Sequence, residues 1–199
     1  MSDSSRRPHG LEYFLQSQRP PGGSEAGVDA RILDGVNHIN LRGDVRNTEF
    51  RNCVENALGQ PLPVKPNTLS NGEHHVYWLG PDEWLIVSTA TEASGLAGSL
   101  ENTLKDVHAS VNDISGGQVT LRLTGDKVRD VLTKGCTIDF HTDVFKPRDC
   151  AQSGLAKASV LIGCIAQPGT FELIVRRSFA EYLAQWLQHA ARDCGIEFR

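Results

Sequence analysis

The sequence predicts an α+β fold made of two similar halves. A short strand that ends in Gly-Asp occurs twice, at Gly43-Asp44 and at Gly125-Asp126, and an amphipathic helix follows it each time. An apolar hairpin with a proline in its turn comes next in each half, and a further helix closes the half. The predicted order is therefore βαββα, repeated, with antiparallel sheets, helices on one face, and an added strand near Asn112 to Ile114.

The first strand and helix of each half follow from hydrophobic periodicity. Val36 to Arg42 alternates, so that polar residues share one face of a strand. The helix after it has apolar residues at i, i+3, i+4, i+7 and i+8, and Gly59 is the expected stop. These apolar residues are Phe50, Cys53, Val54, Ala57 and Leu58. In the second half the strand is Val119 to Leu123, and the helix stripe is Val128, Val131 and Leu132, ending at Gly135.

Hairpins and closing helices complete both halves. The first hairpin turns at Gly80-Pro81-Asp82-Glu83 and the second at Gln167-Pro168-Gly169, because proline presets the backbone of a turn. The closing helices have the apolar stripes Leu96, Leu100, Leu104 and Phe179, Leu183, Trp186, Leu187, Ala190. Ser178 and Glu181 have the spacing of a capping box at the start of the last helix.

The domain organisation follows from length and composition. A chain of 199 residues suits one domain made of two lobes. We expect a flexible tail over residues 1–30 and a single duplicated domain over 31–199, with lobes at about 31–108 and 109–199. The tail is polar and rich in proline, glycine, serine and arginine. Its apolar fragment Leu11 to Leu15 is either unstructured or docks along a partner subunit.

Charge and cysteine usage exclude several classes of protein. The net charge is −4, and no basic cluster exceeds two adjacent residues, so the footprint of a nucleic-acid binder is absent. The longest uncharged apolar run, Ala158 to Ala166, is far below the roughly 20 residues of a membrane span. The five cysteines are widely spaced and form no C-x-x-C pair, which indicates free thiols and a cytoplasmic location.

Two polar clusters are candidates for chemistry. Adjacent strand residues point to opposite faces, so His74 and His75 cannot both bind one metal ion from a regular strand. We expect structural or surface roles for both histidines. Asp113 and Ser115 precede a glycine pair that leads into a strand rather than a helix. A turn held by bonds from these side chains to their own backbone is favoured over a catalytic acid.

The cysteines are weak candidates for nucleophiles. No histidine lies within several residues of Cys150 or Cys164, and a nucleophilic thiol needs a base beside it. Cys164 lies in an apolar strand and is expected to be an inert core residue. Cys150 lies in a polar run expected to be a loop.

The ordered set of motifs after Asp113 resembles one family, the gamma subunit of heterotetrameric sarcosine oxidase. More distantly it is similar to the N-terminal, folate-binding portion of the aminomethyltransferase of glycine cleavage. The resemblance covers roughly Gly35 to Gly195. Its motifs are Asp113-Ile114-Ser115-Gly116-Gly117, Thr124-Gly125-Asp126, Lys134-Gly135-Cys136, Ile138-Asp139, Lys146-Pro147-Arg148-Asp149-Cys150-Ala151-Gln152 and Leu173-Ile174-Val175-Arg176-Arg177-Ser178-Phe179.

The resemblance implies a duplicated folate-domain fold in a non-catalytic subunit. Its partners would be the alpha, beta and delta subunits of an enzyme that demethylates sarcosine to glycine. FAD, FMN and NAD would lie on the other subunits, since this chain has no G-x-G-x-x-G fingerprint. The aminomethyltransferases carry an acidic pair near the position of Leu155 to Ile165, where this chain has no carboxylate. No catalytic, cofactor-binding or metal-binding residue is therefore expected here.

Two further functions remain open at this stage: a stand-alone folate-binding protein of the aminomethyltransferase superfamily and, more weakly, a stand-alone transferase. The polar run that contains Arg148 and Gln152 lies where the folate enzymes approach their substrate loop. We expect these two residues either to form an intersubunit contact or to belong to a solvated turn. Arginine is enriched at interfaces, and its guanidinium can bind a partner's carboxylate.

Overall fold

The computed structural model describes residues 10–17, 26–88 and 95–199, which contain five α-helices and eleven β-strands. The helices are α1 (Glu12–Ser17), α2 (Thr48–Leu58), α3 (Leu96–Thr103), α4 (Val128–Thr133) and α5 (Arg177–Ala190). The strands are β1 (Val28–Ile32), β2 (Asn37–Gly43), β3 (Leu69–Asn71), β4 (His75–Gly80), β5 (Glu83–Ser88), β6 (Ala109–Asp113), β7 (Gln118–Thr124), β8 (Cys150–Leu155), β9 (Ala158–Ala166), β10 (Thr170–Arg176) and β11 (Ile196–Phe198).

The strands form two mainly antiparallel sheets. The larger has the order β11-β1-β7-β10-β9-β8, and only its β1–β11 pair is parallel. The smaller has the order β3-β4-β5-β2-β6 and is antiparallel throughout. The predicted α+β class with antiparallel sheets is confirmed. The repeat is longer than βαββα, because β3 and β8 add a strand to each half and β1 adds one at the start.

The chain divides into two compact units that do not follow the order of the repeats. The continuous unit is Gly35–Ser115, and the discontinuous unit joins the residues up to Asp34 with Gly116–Arg199. These limits differ from the predicted lobes, 31–108 and 109–199. The reason is hydrogen bonding: β1 precedes β2 in the chain but pairs with β7, whereas β6 precedes β7 but pairs with β2. Each repeat thus gives its first strand to the sheet of the other.

Part of the N-terminal segment predicted as a flexible tail is ordered against the chain's own core. Leu11 is 0% exposed and Phe14 is 5% exposed, and both belong to the core of the discontinuous unit. The ring of Phe14 meets that of Phe198 edge to face, with 5.0 Å between centroids. Val28 to Ala30 of the same predicted tail lie in β1. Residues 1–9 and 18–25 lie outside the described residues.

Each unit has its own apolar core between one face of its sheet and its helices. In the continuous unit Phe50, Val54 and Leu58 of α2 and Leu96 and Leu100 of α3 pack with strand residues such as Trp84. The helix α2 begins after Asn47, whose side chain accepts bonds from two backbone N–H groups, and ends as predicted at Gly59, whose φ is 64°. The turns at Pro81-Asp82 and Gln167-Pro168-Gly169 also connect the strands as predicted.

The last helix departs from the prediction at its start. The helix α5 begins at Arg177, its N-cap is Arg176, and no side chain caps it, so the Ser178–Glu181 capping box does not form. Phe179 is 41% exposed, whereas the sequence predicted that it is part of the buried stripe. The buried face is narrower and consists of Ala180, Leu183, Ala184, Leu187 and Ala190. Trp186 is half-buried and packs against Gly135, where a Cβ atom would meet the indole ring.

In the described ranges, none of the helices combines the length and the apolar character that a membrane crossing requires.

We predict that Leu183→Ala destabilises the protein by roughly 2–5 kcal/mol, because a fully buried leucine leaves a cavity that the core fills only partly. Chemical denaturation of the purified chain measures the change. Gln185→Ala, at an exposed position on the same helix, is the control and should shift the midpoint little. Equal midpoints for wild type and Leu183→Ala would show that the residue lies outside the stabilising core.

Candidate functional site

The segment from Lys146 to Gln152 is a tight turn that enters an edge strand. The backbone N–H of Arg148 donates to the Cys164 carbonyl at 2.9 Å, and the N–H of Cys164 donates to the Asp149 carbonyl at 2.9 Å. The Asp149 side chain accepts from the backbone N–H of Lys146 at 2.7 Å and closes the turn. The segment is therefore fixed by its own backbone before any partner binds.

The two predicted site residues are both exposed on this segment. Arg148 has φ 74°, a left-handed conformation that is uncommon for a residue with a side chain. Its guanidinium has no hydrogen-bond or ion-pair partner among the described residues. Gln152 is exposed on β8, which is an edge of the larger sheet. The structure thus places an exposed cation, on a backbone held by hydrogen bonds, beside an exposed strand edge.

Arg129 holds the loop that leads to this segment. Its guanidinium donates to the carbonyls of Phe140 and Phe145, the latter at 3.1 Å, and its Nε donates to the Pro168 carbonyl at 3.2 Å. The same group lies over the ring of Phe171, 4.9 Å from its centroid. These contacts tie two loops and an aromatic cluster together, so that Arg129 is a structural residue and not an open binding group.

The candidate acid at Asp113 is a turn residue. Its Oδ1 accepts from the backbone N–H of Ser115 at 2.9 Å and from the Ser115 hydroxyl. The Ser115 Oγ in turn accepts from the backbone N–H of His38 at 2.9 Å. The bond from the Ser115 N–H to Asp113 is the turn predicted from the sequence, whereas the Ser115 hydroxyl holds the backbone of His38 in β2.

The tandem histidines separate as predicted. His74 is buried, and its Nδ1 lies 2.9 Å from the Ser88 hydroxyl. Burial lowers the pKa of His74, with the Glu73 carboxylate opposing the shift. His75 begins β4 and is half-buried. Within the described ranges, no three histidine, cysteine or acidic side chains are grouped closely enough to hold a metal ion.

Both candidate cysteines are buried. Cys164 lies in the core, and burial raises the pKa of its thiol although Arg129 Nη2 lies 3.7 Å from the sulfur. A raised pKa keeps the thiol protonated and therefore a poor nucleophile. Cys150 is buried in β8 rather than in the loop that the sequence predicted, since it pairs with Gly163 of β9.

The sequence analysis did not predict a buried ion pair in the larger sheet. Glu172 of β10 is 0% exposed, and its Oε1 accepts from Arg122 Nη2 at 2.5 Å and from Arg122 Nε at 3.1 Å. The two residues are direct neighbours across β7 and β10. A signal was present, because Glu172 interrupts an apolar strand and Arg122 interrupts the strand beside it. The carboxylate is bound to a guanidinium, which makes it part of the sheet rather than an available general acid or base.

An open cleft in the continuous unit was also missed. Its volume is about 780 Å³, and it lies where β2 ends, the β4–β5 turn closes and β6 begins. The charged groups around it pair with one another: Arg42 with Glu83 at 2.7 Å, and Arg46 with Asp44 at 2.9 Å. His108 adds an exposed imidazole at the rim. The cleft thus combines charges of both signs with small apolar side chains.

Comparison with solved structures first defines the class of fold. Aminomethyltransferase T of the glycine cleavage system from Bartonella henselae superimposes with a TM-score of 0.63 at 18% identity, over 87% of this chain and 48% of that chain. This likeness shows that the fold is the duplicated α+β fold of such proteins. One chain of heterotetrameric sarcosine oxidase from Corynebacterium sp. U-96 superimposes with a TM-score of 0.79 at 26% identity, over 91% of both chains.

Sequence comparison then defines the family. Residues 42–193 match the model of the sarcosine oxidase, gamma subunit family. The sarcosine oxidase subunit gamma of Corynebacterium sp. (strain P-1) is 30% identical over 178 residues, which cover 88% of this chain and 86% of that protein. The subunit gamma of an Arthrobacter species is 33% identical over 139 residues, covering 69% of this chain and 67% of that protein. The chain belongs to the sarcosine oxidase gamma subunit family.

We predict that Arg122→Met destabilises the protein by about 2–4 kcal/mol, because it leaves the buried Glu172 carboxylate without its guanidinium partner. The double variant Arg122→Met, Glu172→Leu removes both charges and should recover most of the loss. Denaturant unfolding at neutral pH measures all three proteins. A single variant as stable as wild type would show that the ion pair contributes no net stability.

Proposed function

We propose that the chain is a small non-catalytic subunit of a sarcosine oxidase complex. The complex would demethylate sarcosine oxidatively to glycine, with peroxide and with formaldehyde or methylenetetrahydrofolate as the other products. The observation that carries this proposal is family membership over most of the chain, joined to its similarity to a chain of a heterotetrameric sarcosine oxidase. The residues support it, since the acidic, histidine and cysteine candidates all have structural partners.

The partners in this proposal are alpha, beta and delta subunits, and the flavins FAD and FMN and the NAD belong to them. This chain contributes no dinucleotide fingerprint of the G-x-G-x-x-G type. Its contribution is a rigid surface that the other subunits bind. A stand-alone folate-binding protein is the rival function, and the fold likeness to an aminomethyltransferase at 18% identity supplies no folate site.

Expression alone and with the other subunits tests the proposal. We expect the isolated chain to show no flavin absorbance and no sarcosine-dependent peroxide formation. Expressed with an affinity tag beside the alpha, beta and delta chains, it should purify with them in a fixed ratio and with oxidase activity. Oxidase activity of the isolated chain would overturn the non-catalytic role. Failure to purify with the other chains, together with tetrahydrofolate binding by the isolated chain, would favour the rival function.

We further propose Arg148 and Gln152 as a contact with a partner subunit. The support is the exposed guanidinium of Arg148 without a described partner, its strained φ and the rigid turn beneath it. The turn already fixes the backbone of Arg148, so only its side chain loses freedom when the guanidinium binds a carboxylate, and the planar fork of that group suits an interface. The partner group expected here is an aspartate or glutamate.

We predict that Arg148→Ala, Gln152→Ala weakens assembly about tenfold or more, the effect of losing one charge-assisted hydrogen bond. The measurement is the amount of tagged chain that purifies with the partner subunits across a dilution series. Arg51→Ala, Asn52→Ala, a pair exposed on α2, is the matched control. Unchanged assembly and sarcosine turnover in the Arg148 and Gln152 variant would show that the segment is only a solvated turn.

A further inference from the structure

The two sheets have corresponding strand orders, but in the described part of the chain the larger sheet has one more strand at one end. The larger sheet reads β8-β9-β10-β7-β1-β11 and the smaller reads β3-β4-β5-β2-β6. The first five positions correspond, since β6 pairs with β2 as β1 pairs with β7. The sixth position is filled by β11 in the larger sheet. The described residues place no strand beside β6 in the smaller one.

The correspondence extends to single residues. Gly43 is the last residue of β2, and Gly125 comes directly after β7. Alignment of the two Gly-Asp motifs aligns Leu41 with Leu123. Val111 pairs with Leu41, and Ala30 pairs with Leu123. Val111 of β6 is therefore the counterpart of Ala30 in β1, and two residues earlier Ala109 is the counterpart of Val28.

The counterparts in β1 are the residues that bind β11. The N–H of Val28 donates to the Gly195 carbonyl at 3.2 Å, and the carbonyl of Ala30 accepts from the N–H of Arg199 at 2.9 Å. Only three residues of β11 pair with β1, and they run parallel to it. A short parallel strand is thus enough to complete this type of sheet.

The same backbone groups point outward in β6. The N–H of Ile114 donates to the His38 carbonyl at 2.9 Å, so Ile114 and His38 form a hydrogen-bonded pair. In an antiparallel ladder every second pair is hydrogen-bonded, and the next such pairs are Asn112 with Asn40 and Ser110 with Arg42. Ser110 and Asn112 therefore direct their backbone groups to β2. Ala109 and Val111 direct theirs to the free edge, where neither has a described backbone partner.

The edge strand lacks prolines, lysines and bulges, and its one charged residue, Asp113, lies at its end, where the side chain bonds to Ser115. Natural sheets protect their edges with prolines, lysines or bulges. The five residues of β6 include no proline and no lysine, and its ladder with β2 has no register shift. Ser110 and Asn112 are exposed on one face, while Ala109 and Val111 pack partly against the core on the other. The strand is therefore held firmly while its outer edge stays open.

We propose that the outer edge of β6 takes an extended segment of another oxidase subunit as a sixth, parallel strand. This inference rests on the proposed role as a subunit and names the surface that the partner uses. Main-chain hydrogen bonds to Ala109 and Val111 supply the binding, as in other cases of strand addition.

The cleft supports this choice of occupant and direction. A strand parallel to β6 begins at the Ala109 end, and the cleft of about 780 Å³ lies at that end. The residues that precede the added strand leave it at this end, near His108, where a polar segment with both signs of charge would suit Arg42 and Asp44 of the cleft. A second copy of this chain fits less well, since two β6 strands related by a two-fold axis perpendicular to the sheet run antiparallel.

Residue-resolved hydrogen exchange on the isolated chain and on the assembled complex tests the proposal. The amides of Ser110 and Asn112 should be protected in both states, because they bond to β2. The amide hydrogen of Val111 should exchange rapidly in the isolated chain and become protected from exchange in the assembled complex. An unprotected Val111 amide in the complex overturns the proposal. Protection in the isolated chain that grows with its concentration also overturns it, in favour of a second copy.

We predict that Val111→Pro weakens assembly about tenfold or more, the effect of losing one main-chain hydrogen bond. Proline removes the outward N–H and leaves the bonds from Ser110 and Asn112 to β2 intact. Val111→Thr keeps the N–H and the β-branched shape and is the matched control. Assembly of Val111→Pro equal to that of Val111→Thr overturns the proposal. If the wild-type chain itself does not purify with the other subunits, the result contradicts the proposed role as a subunit and is distinct from a failure of the strand addition.

Discussion

The whole architecture depends on the pairing of β1 with β7 and of β6 with β2. Each of these antiparallel ladders joins a strand from one sequence repeat to the sheet of the other, and only residues 33–36 and 114–117 connect the exchanged strands to their own repeats. Four residues are enough for a hairpin loop, so the ladders themselves, and not the length of the connections, hold the strands in the exchanged positions. Because β1 lies beside β7 in the larger sheet, its other edge is available to pair with β11. β6 occupies the equivalent place in the smaller sheet, and the described residues put no strand beyond it.

The elements that the sequence predicted best are those with strong local signals. The α2 stripe with its glycine stop and the two hairpins with proline turns lie where the pattern places them. The strand β8 was missed because Cys-Ala-Gln-Ser-Gly-Leu has low strand propensity, and its conformation comes from the ladder with β9. The start of α5 was misplaced for a similar reason. The chain passes from β10 to α5 without a linker, so the sheet sets the first helical residue and overrides the Ser178–Glu181 signal.

The candidate site shows the same division between local and tertiary information. The Asp113 turn and the separation of the two histidines follow from neighbouring residues and could be predicted. The Glu172–Arg122 pair joins residues fifty positions apart and depends on the register of β7 and β10. The exposure of Arg148 was expected, but its left-handed backbone arises from bonds to the Cys164 region, which no sequence pattern specified. Arg148, whose guanidinium has no partner among the described residues, is the group proposed for a contact with another subunit.

The exchanged strands have a consequence for how such a chain arises. A single repeat cannot close its own sheet by this topology, because the strand it needs lies at the start of the other repeat. Two separate copies would have to exchange their first strands, as domain-swapped dimers do. Joining the copies end to end turns that exchange into an event within one molecule, where the effective concentration of the missing strand is high. Once fused, the two halves are free to diverge, and in the described residues one sheet ends at β6 while the other continues to β11.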